Sequence, residues 1–275
     1  MRISVALCTF NGEEYLENQL TSILNQTCPV DEIIICDDNS TDNTISIVNS
    51  YIEEGIENII LIQNKENIGT IKNFEKAIDK CTGDIIFLSD QDDIWHLNKV
   101  EVMISFFLKK SNALLLFTDG NLIDSDNNLL ESTLWDEWNF SKEMQKRWNN
   151  NQWAFNDLFI NNNKVTGATI AFRAELKKLV LPIEVPVGYW HDAWVALHAA
   201  ANDGLFYLNT ALIDYRLHPK QQIGITAKPL SKVSHEFISE EIFHKNIMNL
   251  YPTLFLKNRI YKRVINKLKA ICKLR

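Results

Sequence analysis

The segment Asp90-Gln91-Asp92-Asp93 closes the apolar run Ile85-Ile86-Phe87-Leu88, which reads as a buried strand. Carboxylates crowded at a strand end repel one another, and each makes its neighbours harder to ionise. A divalent cation is the simplest compensation, because Asp oxygens are the hard ligands that Mg²⁺ and Mn²⁺ prefer. In an open α/β sheet the carboxyl ends of strands are also where ligands bind. A lone acidic turn would read as a solvated loop. Here a second cluster, Asp37-Asp38-Asn39-Ser40, follows another apolar strand, Ile33-Ile34-Ile35-Cys36. Helix capping explains part of it, since Thr41-Asp42-Asn43 leads into Ile45, Val48 and Ile52 at helical spacing. Capping does not explain paired aspartates at the ends of both strands. Together the clusters point to a site that holds a nucleotide and a metal.

The elements that would position these residues alternate regularly through the first half. A strand at Ile3–Cys8 precedes a helical pattern through Tyr15, Leu16, Leu20, Ile23 and Leu24, and a strand at Glu32–Cys36 precedes a helix to about Glu54. Ile59–Ile62 reads as a strand with Asn67-Ile68-Gly69 as its exit loop, and Phe74, Ala77 and Ile78 mark a helix ended by Thr82-Gly83. After the strand into the acidic cluster come a helix around Val100–Leu108 and a strand at Leu114–Thr118. This order predicts an α/β fold with a mostly parallel sheet covered on both faces. Beyond Asp119 the rhythm breaks. Residues 120–160 are rich in Asn and Trp, with Trp135, Trp138, Trp148 and Trp153 in a weakly periodic stretch. A strand at Thr169–Phe172, a helix through Asp192–Ala201 and strands near Leu205 and Leu212 follow. The chain has no internal repeat and no low-complexity linker, so the expected organisation is one domain with halves 1–119 and 120–225, then a helical basic tail, 226–275.

At 275 residues and 46% hydrophobic the chain can build a large core, and a net charge of −7 argues against nucleic acid as a partner. The five cysteines are scattered with no C-x-x-C spacing, as expected of small hydrophobes in a reducing compartment. The apolar start Ile3–Cys8 is cut off by Asn11-Gly12-Glu13-Glu14, too early for a signal peptide, and no apolar run reaches the roughly 18 residues of a membrane span. The expected location is cytoplasmic, or peripheral at the inner face of a membrane. From Lys257 onward the chain is basic with no acidic residue, and Ile260, Val264, Leu268 and Ile271 share a helical face. That pattern suits either an anionic membrane surface or a terminal helix packed on the domain.

With these features placed, residues 1 to 218 resemble a family 2 glycosyltransferase of the GT-A fold. The resemblance rests on Val5-Ala6-Leu7-Cys8-Thr9-Phe10-Asn11, Asp37-Asp38-Asn39-Ser40-Thr41-Asp42, Asn67-Ile68-Gly69 and Ser89-Asp90-Gln91-Asp92-Asp93-Ile94-Trp95, in that order. The last motif resembles the bacterial branch that builds surface polysaccharides, rhamnosyltransferases included. The resemblance implies that Thr9, Asn11, Asp38, Asn67, Gly69, Asp90 and Gln91 surround the donor nucleotide and sugar. Asp38 would accept from a pyrimidine imide N–H. Asp92 and Asp93, with His218, would hold Mn²⁺ or Mg²⁺ beside the diphosphate, and Arg216 would help neutralise the phosphates. For His218 and Arg216 the alternative is ordinary strand surface.

Trp190-His191-Asp192 matches the position where family members carry a base. Asp192 would take the proton of an acceptor hydroxyl, with Trp190, His191 and the Gly167 loop on the acceptor side; its bland alternative is a first-turn helix aspartate. The implied activity is a metal-dependent inverting hexosyl transfer from a dTDP- or UDP-linked sugar, dTDP-rhamnose first, to a glycan or lipid-linked glycan. A binding or scaffolding module without turnover is the competing class. A nucleotidyltransferase would want a Gly-rich basic loop where Thr9–Glu14 is acidic, and a dinucleotide oxidoreductase would want G-x-G-x-x-G, which is absent.

Overall fold

A computed structural model describes residues 1–219, 221 and 237–256. The elements in chain order are β1 (Ile3–Thr9), α1 (Leu16–Leu24), β2 (Glu32–Asp37), α2 (Thr44–Glu53), β3 (Ile59–Gln63), α3 (Thr70–Lys80), β4 (Ile85–Ser89), β5 (Ile94–Trp95), α4 (Lys99–Lys109), β6 (Leu115–Ile123) and β7 (Leu129–Thr133). Then follow α5 (Leu134–Glu137), α6 (Lys142–Trp148), α7 (Asn151–Phe159), β8 (Ile170–Arg173), α8 (Lys177–Val180), α9 (His191–Ala201), β9 (Leu205–Arg216), α10 (Glu240–Leu250) and α11 (Pro252–Leu256). The basic run 257–275 lies outside the described residues. Among those described, no helix is long and apolar enough to cross a membrane.

One sheet runs in the order β3-β2-β1-β4-β8-β6-β9-β5, with β7 added on β6. β1, β2 and β4 are buried along their whole length, which is why they read as continuous apolar runs. β3, at the sheet edge, is only partly buried. Helix α3 packs on β1 and β2 through Ile71, Phe74, Ala77 and Ile78, spaced to line one face. Burying side chains such as Phe74 and Ile78 stabilises by about 1.5–3 kcal/mol each.

The parallel character is confined to β3-β2-β1-β4 and the β6–β9 pair. β8 enters antiparallel between β4 and β6, and β5 and β7 also pair antiparallel. The sequence rhythm breaks at Asp119, yet β6 continues to Ile123 because Asp119-Gly120 forms an irregularity against β9 without ending the strand. Asp119 Oδ1 accepts from the N–H of Gly120 and, at 3.0 Å, from that of Trp135. A Cβ on Gly120 would lie 2.8 Å from both Ile213 and Leu134, so the bend closes only around a glycine. The strands expected near Leu205 and Leu212 are a single twelve-residue strand, β9. In the Asn- and Trp-rich stretch, Trp135 and Trp148 join Phe117, Phe140 and Tyr207 in one aromatic cluster. Trp153 is 44% exposed, with Arg147 stacked over its ring.

This topology places the acidic turn. Residues 90–93 leave β4 in the middle of the sheet and enter β5 at its far edge, where Ile94 pairs with Asp214 near the end of β9. The turn therefore leads from the end of β4, in the first half of the chain, to the end of β9, in the second, through the β5–β9 pair.

Candidate active site

A cleft of about 640 Å³ opens at the ends of these strands. Its lining includes Thr9, Asn11, Asp38, Asp90, Gln91, Asp92, Gly167, Trp190, His191, Asp192 and His218. Of the residues expected at the site, Asn67, Gly69 and Asp93 do not face it.

Gly69 acts through Asp38. The loop after β3 folds over the end of β2, and the N–H groups of Ile68 and Gly69 donate to Asp38 Oδ1 and Oδ2, each at 2.8 Å. Gly69 holds φ at +83°, a conformation that disfavours any side chain. Asn64 Nδ2 adds a third bond to Asp38 Oδ1 at 2.9 Å. An ionised carboxylate offers about four acceptor positions. Those three bonds leave one position open on Oδ2. Asn67 lies on the other side of the loop, beside Glu66 and Lys72.

Asp37, next door, is used internally: it accepts from Thr9 Oγ1 at 2.8 Å and from the N–H of Ser40 at 2.8 Å. The hydroxyl of Thr9 is thus engaged, as is Asn11 Oδ1, which takes the N–H of Thr41 at 2.8 Å. Gln91 binds both backbone groups of Phe10, accepting from N–H at 2.7 Å and donating to C=O at 3.1 Å. It therefore ties the loop after β1 to the acidic turn. A Cβ on Gly12 would collide with the Gln91 amide, so a side chain there would have to displace Gln91 from Phe10.

Within the acidic turn the carboxylates diverge. Asp92 pairs with His218 Nε2 at 2.8 Å, and its side chain keeps 14% exposure toward the cleft. Asp90 also faces the cleft; burial, then the charges of Asp92 and Asp192, push its pKa up to about 8. Asp93 turns inward. It is 1% exposed, its Oδ1 accepts from the N–H of Arg216 at 3.1 Å, and burial drives its pKa well up. Asp93, expected as a metal ligand, is therefore absent from the cleft lining, and its Oδ2 has no hydrogen-bond partner among the described residues. Lys99 lies beneath, fully buried, with Nζ 3.9 Å from the centre of a Trp95 ring and donating to Ala168 O at 2.6 Å. Burial pulls the Lys99 pKa down to about 7, against the attraction of Asp93 and Asp90.

Arg216 likewise does not face the cleft. It is fully buried, Nε donating to the main-chain carbonyl of Asp92 at 2.7 Å, so it is not a phosphate ligand. The lining carries the carboxylates of Glu14, Asp38, Asp90, Asp92 and Asp192 and, among the described residues, no Lys or Arg. No group of three or more His, Cys, Asp or Glu side chains is arranged around a common point among the described residues. The Asp92–His218 pair, beside Asp90, nonetheless supplies carboxylate oxygens of the kind that suit Mn²⁺ or Mg²⁺, with one imidazole nitrogen alongside.

On the opposite wall, Asp192 stands in the first turn of α9. Its Oδ1 accepts from the N–H of Ala193 at 2.5 Å and from Asn163 Nδ2 at 3.2 Å. Burial outweighs these bonds and raises its pKa to about 7. His191 stacks on Phe74 of α3 with ring centroids 4.0 Å apart, and neither ring nitrogen has a hydrogen-bond partner. Burial lowers its pKa to about 3, so the ring is neutral. A Cβ on Gly167 would sit 3.0 Å from His191 Nε2. His191 thus lines the cleft while packed between Phe74 of α3 and Gly167.

Sequence reasoning missed several lining residues. Asn161 and Asn163 belong to the Asn-rich loop after α7, and Thr166 accepts from Trp138 Nε1 at 3.0 Å. Of the four tryptophans between 135 and 153, Trp138 is the one in the cleft lining. The only signal in the sequence was the density of small amides between Asn161 and Asn163.

Comparison with known proteins agrees with this fold. The family model "Glycosyl transferase family 2" matches residues 4–178. The putative teichuronic acid biosynthesis glycosyltransferase TuaG of Bacillus subtilis is 32% identical over 141 residues, covering 49% of this chain and 56% of TuaG. The Escherichia coli UDP-Glc:alpha-D-GlcNAc-diphosphoundecaprenol beta-1,3-glucosyltransferase WfgD is 32% identical over 126 residues, covering 46% of this chain and 47% of WfgD. The matches thus span about half the length of these curated relatives. Among solved structures, S. aureus TarS 1–349 in complex with UDP-GlcNAc superposes with a TM-score of 0.60 at 20% identity, over 94% of this chain and 68% of that one. The mannosyltransferase PcManGT from Pyrobaculum calidifontis, in complex with GDP-Man and Mn²⁺, gives 0.54 at 20% identity, over 76% and 55%. At such identity these likenesses speak to the fold.

Proposed function

The chain belongs to glycosyl transferase family 2 and has a GT-A fold, and from that premise we propose that it is a metal-dependent inverting glycosyltransferase. The donor is a pyrimidine nucleoside-diphosphate sugar, dTDP-rhamnose or a UDP-hexose, and the acceptor is a hydroxyl of a glycan or lipid-linked glycan in bacterial surface polysaccharide synthesis. One observation carries the reading. A single cleft holds a preset acceptor (Asp38), a cation-type donor pair (Asp92 and His218) and a carboxylate poised to titrate near neutrality (Asp192).

The open position on Asp38 Oδ2 takes the imide N–H of the base; uracil and thymine present the same edge, so the nucleotide is read as a pyrimidine. A nucleoside diphosphate brings negative charge into a lining of carboxylates, and among the described residues no fixed cation meets it. Asp92 and His218, with Asp90 beside them, would hold the divalent ion. When bound, the ion neutralises the diphosphate and stabilises the charge that grows on the leaving group. Asp192, ionised, accepts the proton of the acceptor hydroxyl while its oxygen bonds to the anomeric carbon and the bond from that carbon to the phosphate oxygen breaks. Attack from the face opposite the leaving group inverts the centre, and no carboxylate nucleophile is required. Asn163 aims Asp192, and Trp138 and Trp190 supply indole surface for the apolar face of a sugar.

The test is thermal stabilisation by UDP, dTDP, UDP-hexoses and dTDP-rhamnose, each with Mn²⁺, Mg²⁺ or EDTA. A ligand bound only by the native state raises the midpoint by mass action. A cation-dependent shift with a pyrimidine diphosphate, greatest for one parent sugar, supports the reading and names the donor. No shift with any of them removes it.

A further inference from the structure

Arg216 ends β9 with a fully buried guanidinium, and no substrate role accounts for it. A charge so placed is costly to desolvate unless its surroundings answer it; here Nε and Nη1 are met from two segments of chain, while Nη2 has no hydrogen-bond partner among the described residues. Nε donates to the Asp92 carbonyl at 2.7 Å, Nη1 donates to the Asp124 carbonyl at 3.1 Å, and the guanidinium carbon lies 4.5 Å from the centre of the Tyr15 ring. The backbone N–H of Arg216 donates to Asp93 Oδ1 at 3.1 Å. Two residues on, His218 meets Asp92 Oδ2. The same aspartate is therefore gripped by its main chain from behind and by its side chain from the front.

We propose that Arg216 is a positioning residue for the cation site: its planar fork, spanning the carbonyls of Asp92 and Asp124, fixes the acidic turn so that Asp92 and His218 present their donors together. This rests on the reading of Asp92 and His218 as cation ligands. A lysine could keep the charge but not the fork, because one ammonium on a flexible stem cannot hold carbonyls on two segments in one plane. Residues that orient metal ligands from behind typically change affinity by about 10–100-fold when replaced.

Mn²⁺ binding in the presence of UDP, read from the electron paramagnetic resonance signal of free Mn²⁺, tests this directly on the full chain. The variants are Arg216→Lys, Arg216→Gln and Asp92→Ala, with UDP binding in EDTA measured alongside. Arg216→Lys should still unfold cooperatively and bind UDP in EDTA as the parent does, while Mn²⁺ affinity falls about tenfold or more. Arg216→Gln, which buries no lone charge, should show the same split and serves if the lysine variant does not fold. Parent-like Mn²⁺ affinity in a folded Arg216 variant overturns the inference and leaves the cation reading standing. Failure of both variants to fold makes Arg216 a residue of the fold and also overturns it. A parent protein that binds no Mn²⁺, or an Asp92→Ala variant that binds it equally well, overturns the cation reading beneath.

Discussion

Asp38 and Asp92 both stand just past the end of a parallel strand on the same cleft, yet their surroundings prepare them for opposite partners. Around Asp38 the chain has already placed three N–H donors, from Asn64, Ile68 and Gly69. Around Asp92 it has placed other carboxylates: Asp90 and Asp93 are both driven upward by burial and then by the charge of Asp92. The first arrangement makes a carboxylate into a rigid acceptor for one neutral N–H. The second crowds like charges, with Lys99 and His218 as their neighbours. Residue type alone does not separate these functions; the direction of the neighbouring dipoles and charges does.

The sharpest break in that comparison is Asp92→Ala. Transfer should fall by at least about 10³-fold, and the stabilisation by nucleotide should lose its dependence on Mn²⁺, as seen in a melting series with and without EDTA. Unchanged turnover would detach the acidic turn from catalysis.

Asp192→Asn comes next, with a loss of about 10²–10⁴-fold in kcat and donor binding intact by calorimetry. The same substitution should stabilise the fold. The native pKa of Asp192 is raised to about 7, so the folded state favours its neutral form. Its contribution is present at low pH and is lost as pH rises through about 7. The variant should therefore melt several degrees above the parent at pH 8 and draw level with it only below about pH 4. In the parent, kcat/KM should climb with pH through about 7 as the base ionises, and that limb should vanish in the variant.

Asp38→Asn turns an N–H toward N–H donors. It should cost about 1–3 kcal/mol, which is roughly ten- to a hundredfold in UDP affinity, while Mn²⁺ affinity without nucleotide stays put. Equal losses on both counts would mean that the two aspartates are not separate devices. Smallest is removal of 257–275, which should reduce sedimentation with anionic liposomes and leave transfer to a soluble acceptor as it was.

The strands of the first half were legible because buried parallel strands are written as unbroken apolar runs, and β1, β2 and β4 are buried on both faces. β6 beyond Asp119 was not, because Asp119-Gly120-Asn121 carries turn residues that the bend accommodates inside a strand. The aspartates of the site were legible as a cluster. Which of them faces the cleft was not: that depends on the turn's entry into β5, which only the pairing of Ile94 with Asp214 determines. Arg216 read as a phosphate partner because composition gives its charge and not its depth. Asn163 left no mark beyond its neighbours, since its role comes from an α9 residue 29 positions away.

The distance along the chain between the acidic turn and β9 has a consequence for the order of assembly. Asp92 meets His218 across 126 positions, and Arg216 reaches Asp92 across 124. Contacts so far apart in sequence close late, since a long loop must first be ordered. On the ribosome the first strands and helices emerge well before β9, so the aspartates of the turn exist for a time without the side chains that hold them. The nascent chain can fold the surroundings of Asp38 early, but it brings Asp92 and His218 together only when β9 docks beside β6.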